Sequence, residues 1–242
     1  MNGALSMIGS TAVSTLSGEV AVDPHMHTLF SHCSISQPER VIRRAVAIGL
    51  GAIGIMDHND IRGARDAVRC AEYLKSIGEI PASFVVIPGV EVNTPVGHVG
   101  ALFVDEDLPI HLPPDQLVDL IHKAGGLAIA VHPYHSTGIR DAVFDVPYDA
   151  VEIECGSVFG RQLVARNRGL ADDPRLAGAA KLGSSDAHYI RAMGSCYTIL
   201  SGVEHPSLES IKQAIVAQNC TPRSTAPYNR ITRMLGSIGK LK

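Results

Sequence analysis

Apolar runs of three to six residues recur along the chain, separated by longer stretches in which apolar positions return every three or four residues. The runs are Val20–Val22, Ala52–Met56, Phe84–Ile87, Val99–Val104, Leu127–Val131, Ala150–Ile153, Lys181–Gly183 and Tyr197–Leu200. They are aliphatic and mostly unalternating, the pattern of strands buried on both faces. The intervening stretches read as helices. Ser36-Gln-Pro-Glu39 has the form of a capping box with Pro in the first turn, opening a helix that stops near Gly49. After Asn59, Ala64, Ala67, Val68, Ala71 and Leu74 fall at helical spacing. Asp115 is placed to cap a helix over Leu117–Ala124, and Ser207 opens a late one carrying Leu208, Ile211 and Ile215. This alternation predicts an α/β fold with a largely parallel sheet or barrel.

At 242 residues the chain suits one large domain. Residues 1–19, rich in Ser, Thr, Gly and Ala, are expected to form a flexible N-terminal arm, and residues 20–220 the barrel domain. The segment 221–242 carries five basic residues and no acidic one, with Ile231, Met234, Leu235, Ile238 and Leu241 on one helical face. It is expected to pack on the barrel or to contact a second subunit, forming a homo-oligomer, or an anionic partner. The net charge of −3 argues against general nucleic-acid binding. Five cysteines without a CxxC pair read as free thiols of a reducing compartment. No apolar run approaches the roughly 18 residues that span a bilayer, and the first basic residue is Arg40, so neither a signal peptide nor a membrane contact is expected. The expected location is cytoplasmic.

The chain has eleven histidines, as many as its Phe and Tyr together, and their positions matter more than their number. Asp23-Pro-His25-Met-His27 follows the first predicted strand, Asp57-His58 the second, and Glu91 lies just past the third. His98 begins the fourth, His132 ends the strand Leu127–Val131, and Asp186-Ala-His188 follows the seventh. In α/β barrels the C-terminal ends of strands converge on one mouth, where active sites are built. Residues i and i+2 of extended chain point to the same side, so His25 and His27 can face one ion. With His32, the candidates are His25, His27, His32, His58, Glu91, His98, His132, Asp186 and His188. Imidazole and carboxylate together suit zinc, manganese or iron. A mononuclear catalytic zinc takes three protein ligands, so nine candidates predict two or three divalent ions. Clustered metals are the usual arrangement for in-line displacement at phosphorus.

These segments resemble a known family, the polymerase and histidinol phosphatase (PHP) domain. DPHMHTLFSHCS is similar to its first motif, GIMDHND to its second, and PGVEVNT with HVGALFV to its glutamate motif and trailing histidine. AVHP and GSSDAH resemble the last two, and the likeness runs from Asp23 to about Gln218. The resemblance implies a distorted (β/α)7 TIM-like barrel with a trinuclear metal centre at the C-terminal ends of the strands. It implies one ion on His25, His27, Glu91 and Asp186, a second sharing Glu91 and adding His98 and His132, and a third on His32, His58 and His188. His32 departs from the Asp common in the family, Cys33 from Gly, and Met56 from Thr.

The function this predicts is hydrolysis of a small phosphomonoester, such as a nucleotide or a histidinol-phosphate-like compound. A metal-bridging hydroxide, held by Glu91 and Asp186, is expected to attack phosphorus. His135 is a candidate general acid, Arg161 and Arg191 are candidates for binding the phosphate oxygens, and His111, His122 and His205 read as structural. A nuclease acting on single-stranded nucleic acid is a second reading, opposed by the net charge and the scarcity of aromatics and supported by the basic tail. A non-catalytic metal-binding module is a third, opposed by the complete ligand set. Hydrolysis of C–N bonds by an amidohydrolase-like centre is a minor one, because that class commonly uses a bridging lysine where Glu91 stands.

Overall fold

The computed structural model describes residues 13–225. Along the chain run β1 (Glu19–Met26), α1 (Pro38–Ala47), β2 (Ala52–His58), α2 (Arg62–Ser76), β3 (Val85–Thr94), β4 (Gly97–Leu102) and α3 (Pro114–Lys123). There follow β5 (Leu127–Ala130), β6 (Ala150–Cys155), α4 (Arg161–Gly169), β7 (Ala180–Ser184), β8 (Cys196–Ser201), α5 (Leu208–Val216) and β9 (Cys220–Ser224). The strands form one sheet in the order β7-β6-β5-β4-β3-β2-β1-β8-β9. Pairing is parallel from β1 to β3 and from β5 to β7, while β4 runs against both its neighbours and β8 against β1 and β9.

The sheet curls into a nearly closed barrel. At one end the seam is joined directly: His27 donates its backbone N–H to the Ala187 carbonyl at 3.0 Å, and Met26 and Ala187 form a parallel bridge. Below that point β8 and β9 wedge against β7. There the Thr198 hydroxyl accepts from Gly183 N–H at 2.8 Å and donates to its carbonyl at 2.9 Å. A side chain at Gly183 would strike the Tyr197 carbonyl at 2.5 Å, so the wedge requires glycine.

One face of the strands supplies the barrel filling, Val20, Val22, Ala52, Met56, Val85, Ile87, Leu102, Leu127, Ile129 and Val131, closed at the base by Ile211, Ala214 and Ile215 of α5. The alternate positions, such as Ile53, Ile55, Val86 and Val90, pack outward on Val41 and Ile42 of α1, Ala67 and Leu74 of α2, and Leu117 and Ile121 of α3. Both faces are therefore apolar, as the unalternating runs require.

Several boundaries differ from the sequence reading. The helix α1 starts at Pro38 without a side-chain cap, because the Ser36 hydroxyl instead reaches the His188 carbonyl at 3.4 Å. Asp115 sits inside the first turn of α3 rather than capping it, since Pro113 occupies the cap. Ser207 caps α5 as read, in a reciprocal box with Ser210. The strand β3 continues to Thr94, so Glu91 lies within it rather than past its end, held there by the β4 hairpin. Arg161 opens α4, a weakly patterned helix that the apolar spacing does not predict. Of the expected N-terminal arm, residues 13–19 hold to the barrel, with Val13 N–H on the Ile48 carbonyl at 2.8 Å. Residues 221–224, read as tail, belong to β9. The tail's apolar helical face and its role in oligomerisation lie outside the described residues. No helix among the described residues is long and apolar enough to cross a membrane.

Candidate metal centre

Three local departures from regular strand turn the polar residues into the mouth. The β1–β2 register shifts between Asp23 and Met26. Ala21 and Met26 both pack outward, which strict alternation forbids, so the irregularity reverses the alternation and sends His25 and His27 inward. His132 and Asp186 adopt positive φ of 30° and 47°, conformations that non-glycine residues hold only when surrounding structure enforces them. His58 and Glu91 need no such device, since they pair across β2 and β3 on the inward face.

Glu91, fully buried, is the hub. One carboxylate oxygen lies 2.8 Å from His98 Nδ1 and 2.9 Å from His132 Nε2. The other lies 3.0 Å from His58 Nδ1, 3.4 Å from His27 Nε2 and 3.5 Å from His25 Nε2. Asp186 approaches His27 Nε2 at 3.0 Å and His25 Nε2 at 3.5 Å. His188 Nδ1 is 3.7 Å from the same Asp186 oxygen.

Three buried acids, none read as site residues from the sequence, set this arrangement. Glu152 accepts from His25 Nδ1 at 3.0 Å and from His132 N–H at 2.8 Å. Its signal was a charge at an inward position of an otherwise apolar strand, Ala150–Ile153. Asp57 accepts the Ser31 hydroxyl proton at 2.6 Å, so Ser31 accepts from His27 Nδ1 at 3.0 Å. Both tautomers are thereby fixed, and the Nε2 lone pairs of His25 and His27 turn to the centre. Asp23 accepts from Ser185 N–H at 2.8 Å and Gly194 N–H at 3.2 Å, anchoring the loop that bears Asp186. Burial lifts its carboxyl to about 7.

This donor set fits divalent cations. The Nε2 atoms of His25 and His27 stand 3.1 Å apart beside an Asp186 oxygen, an arrangement of lone pairs that needs a proton or a metal ion among them. One Glu91 oxygen and His58 Nδ1 are buried without an aligned hydrogen-bond partner. Four groups bring three ligand atoms within 4.8 Å of one another: His25, His27 and Glu91; His25, His132 and Asp186; His58, Glu91 and His98; and His27, His58 and His188. The last differs from the expected His32, His58 and His188. His32 is exposed at the rim, its ring 5.7 Å from that of His58, and His27 takes its place.

In the metal-free protein, protons supply the charge these carboxylates need. Burial alone would raise Glu91 and Asp186, but the charge of His25, with hydrogen bonds from His132 and His27 respectively, holds both well below the usual carboxylate range. Burial alone would lower His58, yet the neighbouring Cys33 thiol and the Glu91 carboxylate 3.0 Å away lift it to about 10. Burial likewise opposes protonation of His25, where the charges of Glu152, Asp186 and Glu91 prevail and raise it. Burial would raise the Cys33 thiol, but the neighbouring imidazoles of His188 and His58 bring it down to about 6.

The sign of the pH dependence follows. A raised histidine stabilises the fold below its ordinary value of 6.5, and that contribution is lost as pH climbs towards about 10 for His58. The depressed carboxylates stabilise it above their ordinary values of 4.5 and 3.8 and fail below them. Chelator-treated protein should therefore melt at a lower temperature at about pH 9 than at about pH 6. Zinc-loaded protein should lose most of that difference, because the ion holds the ligands deprotonated. Calorimetric scans at the two pH values check this, and an equal alkaline drop with zinc bound would refute it.

The mouth opens as a cavity of about 320 Å³ whose walls include His32, Asn59, Asn93, His98, His135 and Thr137. The segment that carries most of these donors, residues 23–157, matches the PHP domain family. The chain belongs to that family. A PHP-associated segment follows at residues 175–220, reaching the start of β9. An uncharacterized protein of Methanocaldococcus jannaschii is 33% identical over 143 residues, covering 54% of this chain and 79% of its own. Among solved structures, PsfC from Pseudomonas syringae superposes with a TM-score of 0.66 at 18% identity, over 92% of this chain and 99% of that one. The lesion-specific endonuclease Q of Pyrococcus furiosus gives 0.59 at 18% identity, over 82% of this chain and 56% of that one. A Bifidobacterium adolescentis protein assigned as a metal-dependent phosphoesterase gives 0.52 at 14%, over 86% and 97%. These likenesses establish a shared PHP-type barrel.

Not all expected residues gather at the PHP mouth. Arg161 and Arg191 are exposed and do not line the cavity. His135 does line it, with its ring 5.2 Å from that of His132 and its Nδ1 on the Thr137 hydroxyl at 2.9 Å. His122 pairs with Asp149 at 2.8 Å and lies apart from the mouth, in keeping with a structural part.

Proposed function

We propose that this PHP protein is a metal-dependent phosphoesterase that hydrolyses a small phosphomonoester, a nucleotide or a histidinol-phosphate-like compound. The observation that carries the reading is the hub geometry: one buried carboxylate, Glu91, ringed by five imidazoles under a cavity sized for a small molecule. Two or three zinc, manganese or iron ions, when bound, would lower the pKa of water to give a nucleophile and neutralise the phosphoryl oxygens. Glu91 and Asp186 are the anionic ligands, and His25, His27, His58, His98, His132 and His188 the neutral ones. Glu152 and Asp57 keep the imidazoles in the ligating tautomer.

His135 lines the cavity wall beside His132. Burial and the neighbouring His132 push its pKa down, so the ring suits donating a hydrogen bond better than delivering a proton. No Lys or Arg lines the cavity among the described residues. Contacts from Arg161 or Arg191 to the phosphate would therefore come from the rim. The same lack of cations and aromatic platforms weighs against a nucleic-acid strand as substrate.

Purified protein analysed for metal and assayed on a panel of phosphomonoesters and diesters tests the proposal. Wild type should release phosphate from small monoesters, and Asp186→Ala should lose metal and at least about a hundredfold in kcat/KM, more than an outer-shell change costs. Undiminished turnover in Asp186→Ala, or bound metal with no ester turned over, would overturn it.

A further inference from the structure

Two carboxamides, Asn59 and Asn93, line the mouth, and they are held differently. The ladder between β2 and β3 ends at the His58–Glu91 pair. One residue further, Asn59 turns to a φ of 56°, a left-handed conformation that Asn tolerates better than most residues. There it stands in for the next step of the ladder. Its N–H donates to the Glu91 carbonyl at 2.8 Å, and its Oδ1 accepts the Asn93 N–H at 2.8 Å. The second bond fixes which end of the carboxamide is oxygen. Nδ2 is the end left over: it has no partner among the described residues, yet it is not buried. Asn59 lines the cavity beside His58, Glu91 and His98. The Asn93 Oδ1 is buried without a partner, so that amide has no comparable anchor.

We infer that Asn59 contacts the substrate, its Nδ2 donating a hydrogen bond to a phosphoryl oxygen of the ester held at the mouth. This rests on the phosphoesterase reading above and adds a donor outside the metal-ligand set. No Lys or Arg lines the cavity among the described residues, so phosphoryl oxygens turned away from the ions need neutral donors. Other wall groups are already engaged. The Thr137 hydroxyl is paired with His135 Nδ1 at 2.9 Å, and His98 and His132 are paired with Glu91. A donor anchored through its own oxygen is oriented before the ester arrives. It loses little freedom on binding and need not reorganise as charge shifts during the reaction.

Two substitutions remove this donor in opposite ways. Asn59→Asp keeps an acceptor for the Asn93 N–H and puts an acceptor-only group in place of the amide. Asn59→Gly keeps the left-handed backbone and its N–H to Glu91, and removes the side chain without adding charge. Full-length wild type and both variants, loaded with zinc, would be compared in three ways. Elemental analysis counts bound metal, and kcat and KM are measured on the phosphomonoester that wild type turns over fastest. Isothermal titration calorimetry measures binding of inorganic phosphate. Both variants should keep their metal, lose about a hundredfold in kcat and bind phosphate at least about tenfold more weakly. Wild-type rate and phosphate affinity in either metal-loaded variant would overturn the contact. Loss of metal from both, or from Asn59→Gly alone while Asn59→Asp behaves as wild type, would overturn it too, since Asn59 would then only brace Glu91. Metal-loaded wild type that hydrolyses no phosphomonoester would overturn the phosphoesterase reading instead, whereas active wild type with unimpaired variants sinks this contact alone.

Discussion

Replacing Glu91 by glutamine should empty the centre of metal and lower ester hydrolysis by well over a hundredfold. The substitution keeps the volume and removes the charge. Five imidazoles contact the two carboxylate oxygens at 2.8–3.5 Å, and an amide can accept on one side only. Outer-shell partners of metal ligands typically cost 10–100-fold when removed, so a residue common to two ligand groups should exceed that range. Elemental analysis beside kcat/KM gives the answer. Near-wild-type metal content with near-wild-type rate would mean that Glu91 is not the hub.

The second large effect concerns stability. Asp57 belongs to none of the four ligand groups and accepts four hydrogen bonds, from Thr28 N–H at 2.7 Å, the Thr28 hydroxyl at 2.5 Å, Ser31 N–H at 3.1 Å and the Ser31 hydroxyl at 2.6 Å. Asp57→Ala strands these donors, and each buried unmet one costs about 1–3 kcal/mol. A loss of about 3 kcal/mol or more, roughly 6–12 °C in Tm, is expected. Gly63 at the start of α2 packs so closely that a Cβ there would fall 1.8 Å from an Asp57 oxygen and 2.6 Å from the Thr28 hydroxyl. Gly63→Ala should therefore destabilise by a similar order. In the Asp57→Ala background the nearer obstacle is gone and the Thr28 hydroxyl has lost its partner, so the second substitution should cost less there. Strictly additive melting shifts would rule out this account of the contact.

Much of this was legible in the sequence, for identifiable reasons. The runs at Val20, Ala52, Val99, Leu127 and Ala150 could be read because both faces of these strands are apolar, and the donors could be read because they cluster where those runs stop. What escaped depends on geometry that residue types do not encode. The reversal of alternation at Pro24–His25 and the positive φ of His132 and Asp186 decide which way side chains point, and neither leaves a mark in composition. Glu152 was overlooked because it lies inside a strand rather than at its end. His27 rather than His32 joins His58 and His188 in one ligand group because the loop after β1 leaves His32 exposed at the rim, its ring 5.7 Å from that of His58. The helix α4 was missed because its first turn is Arg-Gln-Leu-Val with exposed side chains and offers no apolar stripe.

The barrel's seam has a consequence for how the protein holds itself together. His27 and Asp186 meet there at 3.0 Å although 159 positions separate them. An ion held by His25, His27 and Asp186 would therefore act as a clasp, fastening β1 to the loop after β7. Fastening the ends of so long a loop removes much of the freedom of the opened chain. The base is differently secured, by α5 and the β8–β9 wedge, which hold whether or not metal is present. Chelation should thus relax the molecule from the mouth downward, so that the reagent for hydrolysis is also the pin that keeps the mouth in shape.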